Sequence, residues 1–401
     1  MKQHRVLKNA VFALLFVLLL ASVGCFAFAA PQTPGKVQLS VDAVTQTSVS
    51  LKWKAAAGAD GYLIFRYDYA AKSYDRIAVT SKTAVTVPKL LGGESYCFGV
   101  RAYAQTDKTL VKGKLVKVKC YTPLATVTGI KQTETTPTSH KLQWKAVPGA
   151  EEYQIYYFKD SVKSFALLGT VKNPYCTVKK LKSASVAQYK VRAVSHCANG
   201  KTVKAKTSAI FYAYTTPADI ARFTAENVTT TGYTLVWDAV EGADGYRLFR
   251  YNAKSGKYSR LADVEGTTYE IDGLTPCSTA FYKICAFANL NGTVRYGART
   301  AALPLTTKPE TVTPYLIARP AANGVIKVGW SKGVCDGYLV FGAAQEEGPY
   351  QLLDEIDDPN TLSCAIRSPF DSETLFVRIK TFVMVDSIPI LSAYSDALVI
   401  D

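Results

Sequence analysis

Only three histidines (His4, His140 and His196) and two methionines occur in 401 residues. Imidazole is the usual neutral-pH base and a common zinc ligand, so the chain has little material for either role. There is no G-x-S-x-G, H-E-x-x-H, phosphate-cradling glycine loop or P-loop lysine. No two cysteines stand at C-x-x-C spacing, which removes the commonest structural zinc pattern. Beyond residue 30 no stretch is apolar enough to cross a bilayer, and no window carries a sustained helical stripe. Together these absences argue against common hydrolases, metalloenzymes, nucleotide-binding α/β folds and helical bundles. No catalytic residue, metal or cofactor is expected.

What is present is ordinary globular material, 48% hydrophobic and 20% charged, in a chain too long for one core. Lys2, Arg5 and Lys8 precede the apolar run Val11–Ala21, and Ala27-Phe28-Ala29 offers a small-x-small cleavage site. This pattern reads as a signal peptide over residues 1–29, which puts the remainder outside the cytoplasm, secreted or on the cell surface. Two other readings stay open. Val11–Ala30 is long enough for an uncleaved anchor, and "LASVGC" reads as a lipoprotein signal with Cys25 acylated, although Ser22 stands where leucine is usual.

Four tryptophans, Trp53, Trp144, Trp237 and Trp330, are spaced by 91, 93 and 93 residues. Each closes a short alternating run: "LKW", "LQW", "LVW" and "VGW". Tyr62, Tyr153 and Tyr246 follow nine residues on, and Tyr338 follows eight residues on. Landmarks in phase over the whole chain indicate tandem duplication. Within each unit the hydrophobic period is two, as in "YRLFRY" and "QYKVRAV", and Gly or Asn-Gly punctuates the runs. Several short strands in roughly 90 residues, without helices, make a β-sandwich.

The units resemble fibronectin type III modules. The resemblance rests on the strand-B Trp, the strand-C Tyr, the "VRA" of strand F and the closing Thr122-Pro123 and Thr216-Pro217. It implies an all-β fold of four tandem sandwiches over residues 33–122, 127–216, 220–307 and 312–401, the last divergent. The family's strand-F corner tyrosine is Tyr96 in the first unit. Ala187, Ala280 and Leu375 hold that place in the others, so a corner hydrogen bond is not expected there. The recurring "GADGY", in which Gly58 and Gly242 suit a positive-φ turn, reads as scaffold rather than ligand loop.

Eight cysteines follow the leader, two in each unit, and outside a cell disulfides are the natural reading. In the resembling fold the start of strand E, the B–C loop and the end of strand F meet at one end of the sandwich. This implies the pairs Cys335–Cys364 and Cys176–Cys197. Cys97 and Cys120 lie on neighbouring strands, but alternation turns 97 outward and 120 inward, so their pairing needs a bulge. Cys277 and Cys285 are eight residues apart along one strand, ~25 Å if straight, and should remain free or intermolecular.

Charge is uneven along the chain. Residues 31–126 carry 14 basic and 6 acidic side chains, and residues 127–217 carry 14 and 4. Residues 218–311 balance at 10 and 10, while 312–401 carry 6 and 12. Alternating lysines, as in "VKGKLVKVKC", suit solvated strand faces and protected edges. They also suit an anionic polymer such as cell-wall material, acidic glycan or anionic lipid. Nucleic acid is not expected, because no arginine cluster or binding motif is present. Glu151-Glu152, Glu346-Glu347 and Asp357-Asp358 read as solvated loop acids, the last of them without the spaced ligands of a calcium loop. Tyr67, Tyr69 and Tyr74 of "RYDYAAKSYDR" are candidate ligand-contacting aromatics. The expected function is non-catalytic: adhesion, protein binding or spacing outside the cell, with anionic-polymer contact through the first two units. A carbohydrate-binding accessory of a secreted glycan-degrading system is the alternative.

Overall fold

The structure, a computed structural model, describes residues 32–105, 109–318 and 324–401. The leader expected over 1–29, with Cys25, lies outside the described residues. Among the described residues every regular element is a strand. Strands β1 (Gln38–Val44), β2 (Val49–Lys54), β3 (Gly61–Asp68), β4 (Ser73–Thr80), β5 (Ala84–Val87), β6 (Ser95–Gln105), β7 (Leu110–Lys112) and β8 (Val116–Tyr121) form the first sandwich. The second comprises β9 (Lys131–Thr135), β10 (Ser139–Gln143), β11 (Glu152–Lys159), β12 (Ser164–Val171), β13 (Tyr175–Lys179), β14 (Val186–His196), β15 (Thr202–Lys204) and β16 (Phe211–Tyr214). The third comprises β17 (Phe223–Glu226), β18 (Tyr233–Trp237), β19 (Gly245–Asn252), β20 (Lys257–Val264), β21 (Thr268–Ile271), β22 (Thr279–Leu290), β23 (Thr293–Tyr296) and β24 (Leu303–Thr306). The fourth comprises β25 (Pro314–Ala318), β26 (Ile326–Trp330), β27 (Gly337–Ala343), β28 (Gln351–Ile356), β29 (Ser363–Ile366), β30 (Leu375–Val385), β31 (Ile388–Leu391) and β32 (Leu398–Ile400).

One topology recurs four times. In the first sandwich one sheet runs β1-β2-β5 and the other β4-β3-β6-β7, with β8 also pairing β6. The corresponding strands of the other three are ordered in the same way. By contact density the chain divides into two compact units, one up to Pro123 with residues 196–203, the other 124–195 with 204–401.

Each core is built on the repeated indole. Trp53, Trp144, Trp237 and Trp330 are buried and meet Tyr62, Tyr153, Tyr246 and Tyr338 at centroid distances of 5.2, 5.4, 5.5 and 5.2 Å. The first three tyrosine hydroxyls accept the N–H of Ala56, Val147 and Val240 at 3.0, 2.9 and 2.8 Å, which fixes the loop joining the two sheets. In the fourth, Tyr338 donates to Pro359 O at 3.0 Å.

The "GADGY" phrase is part of this frame. Gly58 and Gly242 have φ of +68° and +77°. Asp60 N–H donates to Tyr103 O, and its Oδ2 accepts from Gln105 N at 2.8 Å. Asp244 repeats this with Phe287 and Asn289, and Asp336 with Phe382 and Met384. A Cβ on Gly337 would stand 2.2 Å from Ile356 O, so the glycine lets two strands close.

The corner tyrosine is partly replaced. Tyr96 Oη accepts Leu91 N–H at 2.8 Å in the first sandwich only. In the first three sandwiches a buried threonine also pins this turn. Thr122, Thr215 and Thr307 accept the N–H of Glu94, Ser185 and Ser278 at 3.1, 3.1 and 3.0 Å. Their hydroxyls donate to Leu91, Lys182 and Thr275 carbonyls at 2.6, 2.7 and 2.8 Å. The second and third sandwiches are therefore pinned at this turn without the phenol.

His140 lies on β10 and is buried, its Nε2 3.0 Å from Tyr189 Oη and its Nδ1 3.2 Å from Tyr214 O. The third sandwich places Tyr233 at this point, bonded to Tyr282 Oη at 3.0 Å. His140 is thus a core polar group, and burial holds its pKa below the ordinary imidazole value. The neutral ring is the folded form. Its contribution is complete above the unfolded pKa of about 6.5 and is lost as pH falls below that.

Two predictions follow from these cores. Thr215→Val keeps shape but strips the partner from Ser185 N–H and one of two hydroxyl donors from Lys182 C=O, and should cost the second sandwich about 1–3 kcal/mol in denaturant unfolding. Its transition should be less stable at pH 5 than at pH 7.5, and His140→Tyr should flatten that difference. An unchanged pH dependence in the variant would remove His140 as its cause.

Candidate functional site

The outer face of the five-stranded sheet in the first sandwich gathers the flagged tyrosines. Asp68 at the end of β3 accepts Ala70 and Ala71 N–H at 2.8 and 3.0 Å, and these bonds hold its carboxyl below the usual range. That turn reverses the chain so that Tyr67 on β3 pairs with Tyr74 on β4. Their rings stand 5.0 Å apart, and Tyr69 packs edge-on against Tyr67 at 5.0 Å. All three are half-buried. Tyr69 Oη lies 3.2 Å from Ser95 Oγ, and Tyr74 Oη lies 3.0 Å from Cys97 Sγ. Burial, then the Cys97 bond, push the Tyr74 hydroxyl well above the ordinary phenol value, so it remains a neutral donor.

Basic residues complete the site. Exposed Lys117 and Lys119 come from β8, and Lys117 Nζ sits 4.7 Å above the Tyr74 ring. Tyr67, Tyr69, Tyr74, Cys97, Lys117, Val118 and Lys119 line an open groove of about 530 Å³. Phenolic hydroxyls and two ammonium groups around one concavity can donate to anionic oxygens. Carboxylates do not line it, and nothing there pairs a nucleophile with a base.

The cation-on-aromatic arrangement recurs with a shift. Gly99, Lys190, Lys283 and Arg378 occupy one register position, opposite Phe65, Tyr156, Phe249 and Phe341. Lys190 covers Phe165 at 4.4 Å and Lys283 covers Tyr258 at 4.8 Å; Arg378 Nε donates to Tyr350 Oη at 2.8 Å. The first sandwich has glycine there, and its cation comes from Lys117, the residue paired across from Gly99. The tyrosines were visible in the sequence as an alternating hairpin. Their convergence with Lys117, Lys119 and Cys97 was not, because it depends on which strand lies beside β6.

None of the three expected cysteine pairs is joined. Cys97 and Cys120 are buried thiols on opposite faces of the sheet: Cys97 lines the groove, while Cys120 packs in the core with its pKa raised by burial to about 11. Cys176 is a thiol raised to about 11 by burial, and Cys197 Sγ donates to Gly93 O at 3.3 Å. That carbonyl lies in the turn before β6, so the Cys197 thiol finds its backbone partner outside its own sandwich. Cys335 and Cys364 both reach the fourth core as thiols, with Cys364 beside Asp354. Cys277 is a half-buried thiol in a turn, and Cys285 a buried thiol near Arg247 and Arg299. His196 Nδ1 lies 3.2 Å from Thr202 Oγ1. Asp358 is occupied by Asn360 N–H and Thr361 Oγ1 of its own loop, which hold its carboxyl low.

No family model matches the chain. Among curated proteins it is similar to the receptor-type tyrosine-protein phosphatase eta of Gallus gallus, 23% identical over 279 residues. That match takes in 69% of this chain and 19% of the relative, so this chain spans about a fifth of it. Among solved structures, a two-domain fibronectin type III segment of chicken tenascin is 17% identical, with a TM-score of 0.38; it covers 46% of this chain and 100% of its own. The FN1–FN3 domains of chicken CNTN1 are 14% identical, with a TM-score of 0.29, over 69% of this chain and 100% of theirs. The sheet orders speak more directly: the chain is an all-β tandem of four sandwiches whose sheet pairs resemble those of fibronectin type III domains.

Proposed function

We propose that the chain is a non-catalytic extracellular or cell-surface protein that holds an anionic polymer through its first sandwich, with the later sandwiches spacing and displaying it. The observation that carries this reading is the groove where Lys117 and Lys119 flank Tyr67, Tyr69 and Tyr74. It lies in the basic half of the chain, where 28 Lys and Arg face 10 Asp and Glu over residues 31–217. A field of one sign raises the local concentration of an oppositely charged polymer and speeds its capture. The basic–apolar–small pattern of residues 1–29 supports a setting outside the cytoplasm, as does the receptor-type description of the chicken relative.

Stacking of neutral sugars is the weaker reading. The three tyrosines pack against each other and Lys117 covers one face of Tyr74, so little flat ring is presented.

Binding to an immobilised polyuronate should fall several-fold between 50 and 300 mM salt, because surface attractions are screened over a Debye length that shrinks to below about 10 Å. Lys117→Ala with Lys119→Ala should weaken it further while leaving the unfolding transitions unchanged. Salt-independent retention, or equal retention on an uncharged glucan, would overturn the electrostatic reading.

A further inference from the structure

The turn between β21 and β22 carries Cys277 at φ +57°, and several bonds hold it there. Ser278 Oγ donates to Thr275 O at 2.6 Å, Ser278 N–H to Thr307 Oγ1 at 3.0 Å, and Thr307 Oγ1 to Thr275 O at 2.8 Å. From this turn the Cys277 thiol reaches the fourth sandwich and donates to Val334 O at 2.7 Å. That carbonyl belongs to the peptide leading directly into Cys335.

The receiving loop is equally well held. Asp336 N–H donates to Phe382 O at 2.8 Å, and Asp336 Oδ2 accepts Met384 N–H at 2.8 Å. The connecting segment is tied as well, by Thr381 Oγ1 donating to Glu310 O at 2.6 Å. Cys335 Sγ lies 3.8 Å from Gly333 O, the end of the same loop. Both cysteines are half-buried, so a small disulfide reagent can reach them, and the two thiols are near enough to bear on each other electrostatically.

We infer that Cys277 and Cys335 are the site of a covalent cross-link between the third and fourth sandwiches. The sulfur of Cys277 is held on the carbonyl of the peptide that leads into its partner residue, and the cross-link requires the Cys335 side chain to turn toward it. A disulfide needs its Cα atoms within about 7 Å, which two loops already joined by a thiol–carbonyl bond can meet with little movement.

The oxidant is a small-molecule disulfide such as oxidised glutathione. One cysteine, deprotonated, attacks it and expels a glutathione thiolate, forming a mixed disulfide. The second cysteine, deprotonated in turn, displaces the other glutathione and closes the S–S bond. Two protein thiols are oxidised and one glutathione disulfide is reduced, the two protons given up by the cysteines being taken up by the departing glutathione thiolates to give two thiols. The link adds a covalent tie across residues 308–313, a segment already held by hydrogen bonds at Lys308, Glu310 and Thr313.

The test is a peptide map of the full chain after incubation with oxidised glutathione at pH 8.5, digested without reductant. Trypsin releases Cys277 on 261–283, and Cys335 together with Cys364 on 333–367. The expected result is these two peptides joined, separating on reduction. The joined species should persist in Cys364→Ser and vanish in Cys335→Ser. Cleavage after Glu310 by a glutamyl endoprotease in the folded, oxidised chain should leave the two fragments covalently attached. An internal Cys335–Cys364 bridge with alkylatable Cys277, a Cys277-linked dimer of two chains, or thiols that both remain alkylatable would overturn the inference.

Discussion

The contact between one indole and one phenol, edge-on in three sandwiches and tilted in the fourth, holds each sandwich together, and the rest of the structure is arranged around it. Tryptophan closes the second strand of one sheet, and tyrosine opens the third strand, which lies in the other. A centroid distance near 5 Å therefore fastens sheet to sheet. Such a pair is worth about 0.5–1.5 kcal/mol beyond the area it buries. The larger effect is geometric. In the first three sandwiches the tyrosine hydroxyl takes a loop N–H, so the crossing between sheets has one path. In the fourth, where the tyrosine stands one residue closer to its tryptophan, Tyr338 accepts Gly333 N–H at a longer 3.5 Å and also donates to Pro359 O. The fourth sandwich keeps the ring contact and changes the loop.

With the inner faces fully used, variation is left to the outer faces and the turns. The register position of Gly99, Lys190, Lys283 and Arg378 shows how this works. In three sandwiches a long cation from the central strand lies over the aromatic of the neighbouring hairpin, its stem covering apolar surface while its charge stays wet. In the first, glycine removes that stem and Lys117 leans in from the opposite edge, leaving the side toward Tyr67 and Tyr69 open. A groove results where its siblings have a covered face.

Most of the fold could be read from residues alone, because the period of two and the 91–93-residue spacing act within single strands. Trp53 and Tyr62 mark their places by chain distance, and their neighbours alternate faithfully. Thr215 could not be read this way. Its value depends on meeting Ser185 and Lys182 across a turn, and threonine is an ordinary strand residue elsewhere in the chain. The cysteines divide in the same way. Cys97 and Cys120 obey the alternation that set them on opposite faces. Cys277, by contrast, finds its neighbour in the next sandwich, where no intramodular alignment would look. Residues that act within a strand are legible in sequence, and residues that act across turns and joints are not.

The two kinds of interaction also separate binding from folding. The cores contain apolar rings and neutral hydrogen bonds, while the ion pairs lie mostly at the surface: Lys182–Glu241 is 68% and 78% exposed. Exposed pairs of that kind contribute about 0–1 kcal/mol and less in salt. Arg247–Asp263, at 26% and 24%, is better shielded and joins adjacent strands of one sheet. Ionic strength in the physiological range therefore acts weakly on the sandwiches and strongly on any polymer held by Lys117 and Lys119. The lysines that would meet a polymer in the proposed function are therefore not the groups on which the packing rests.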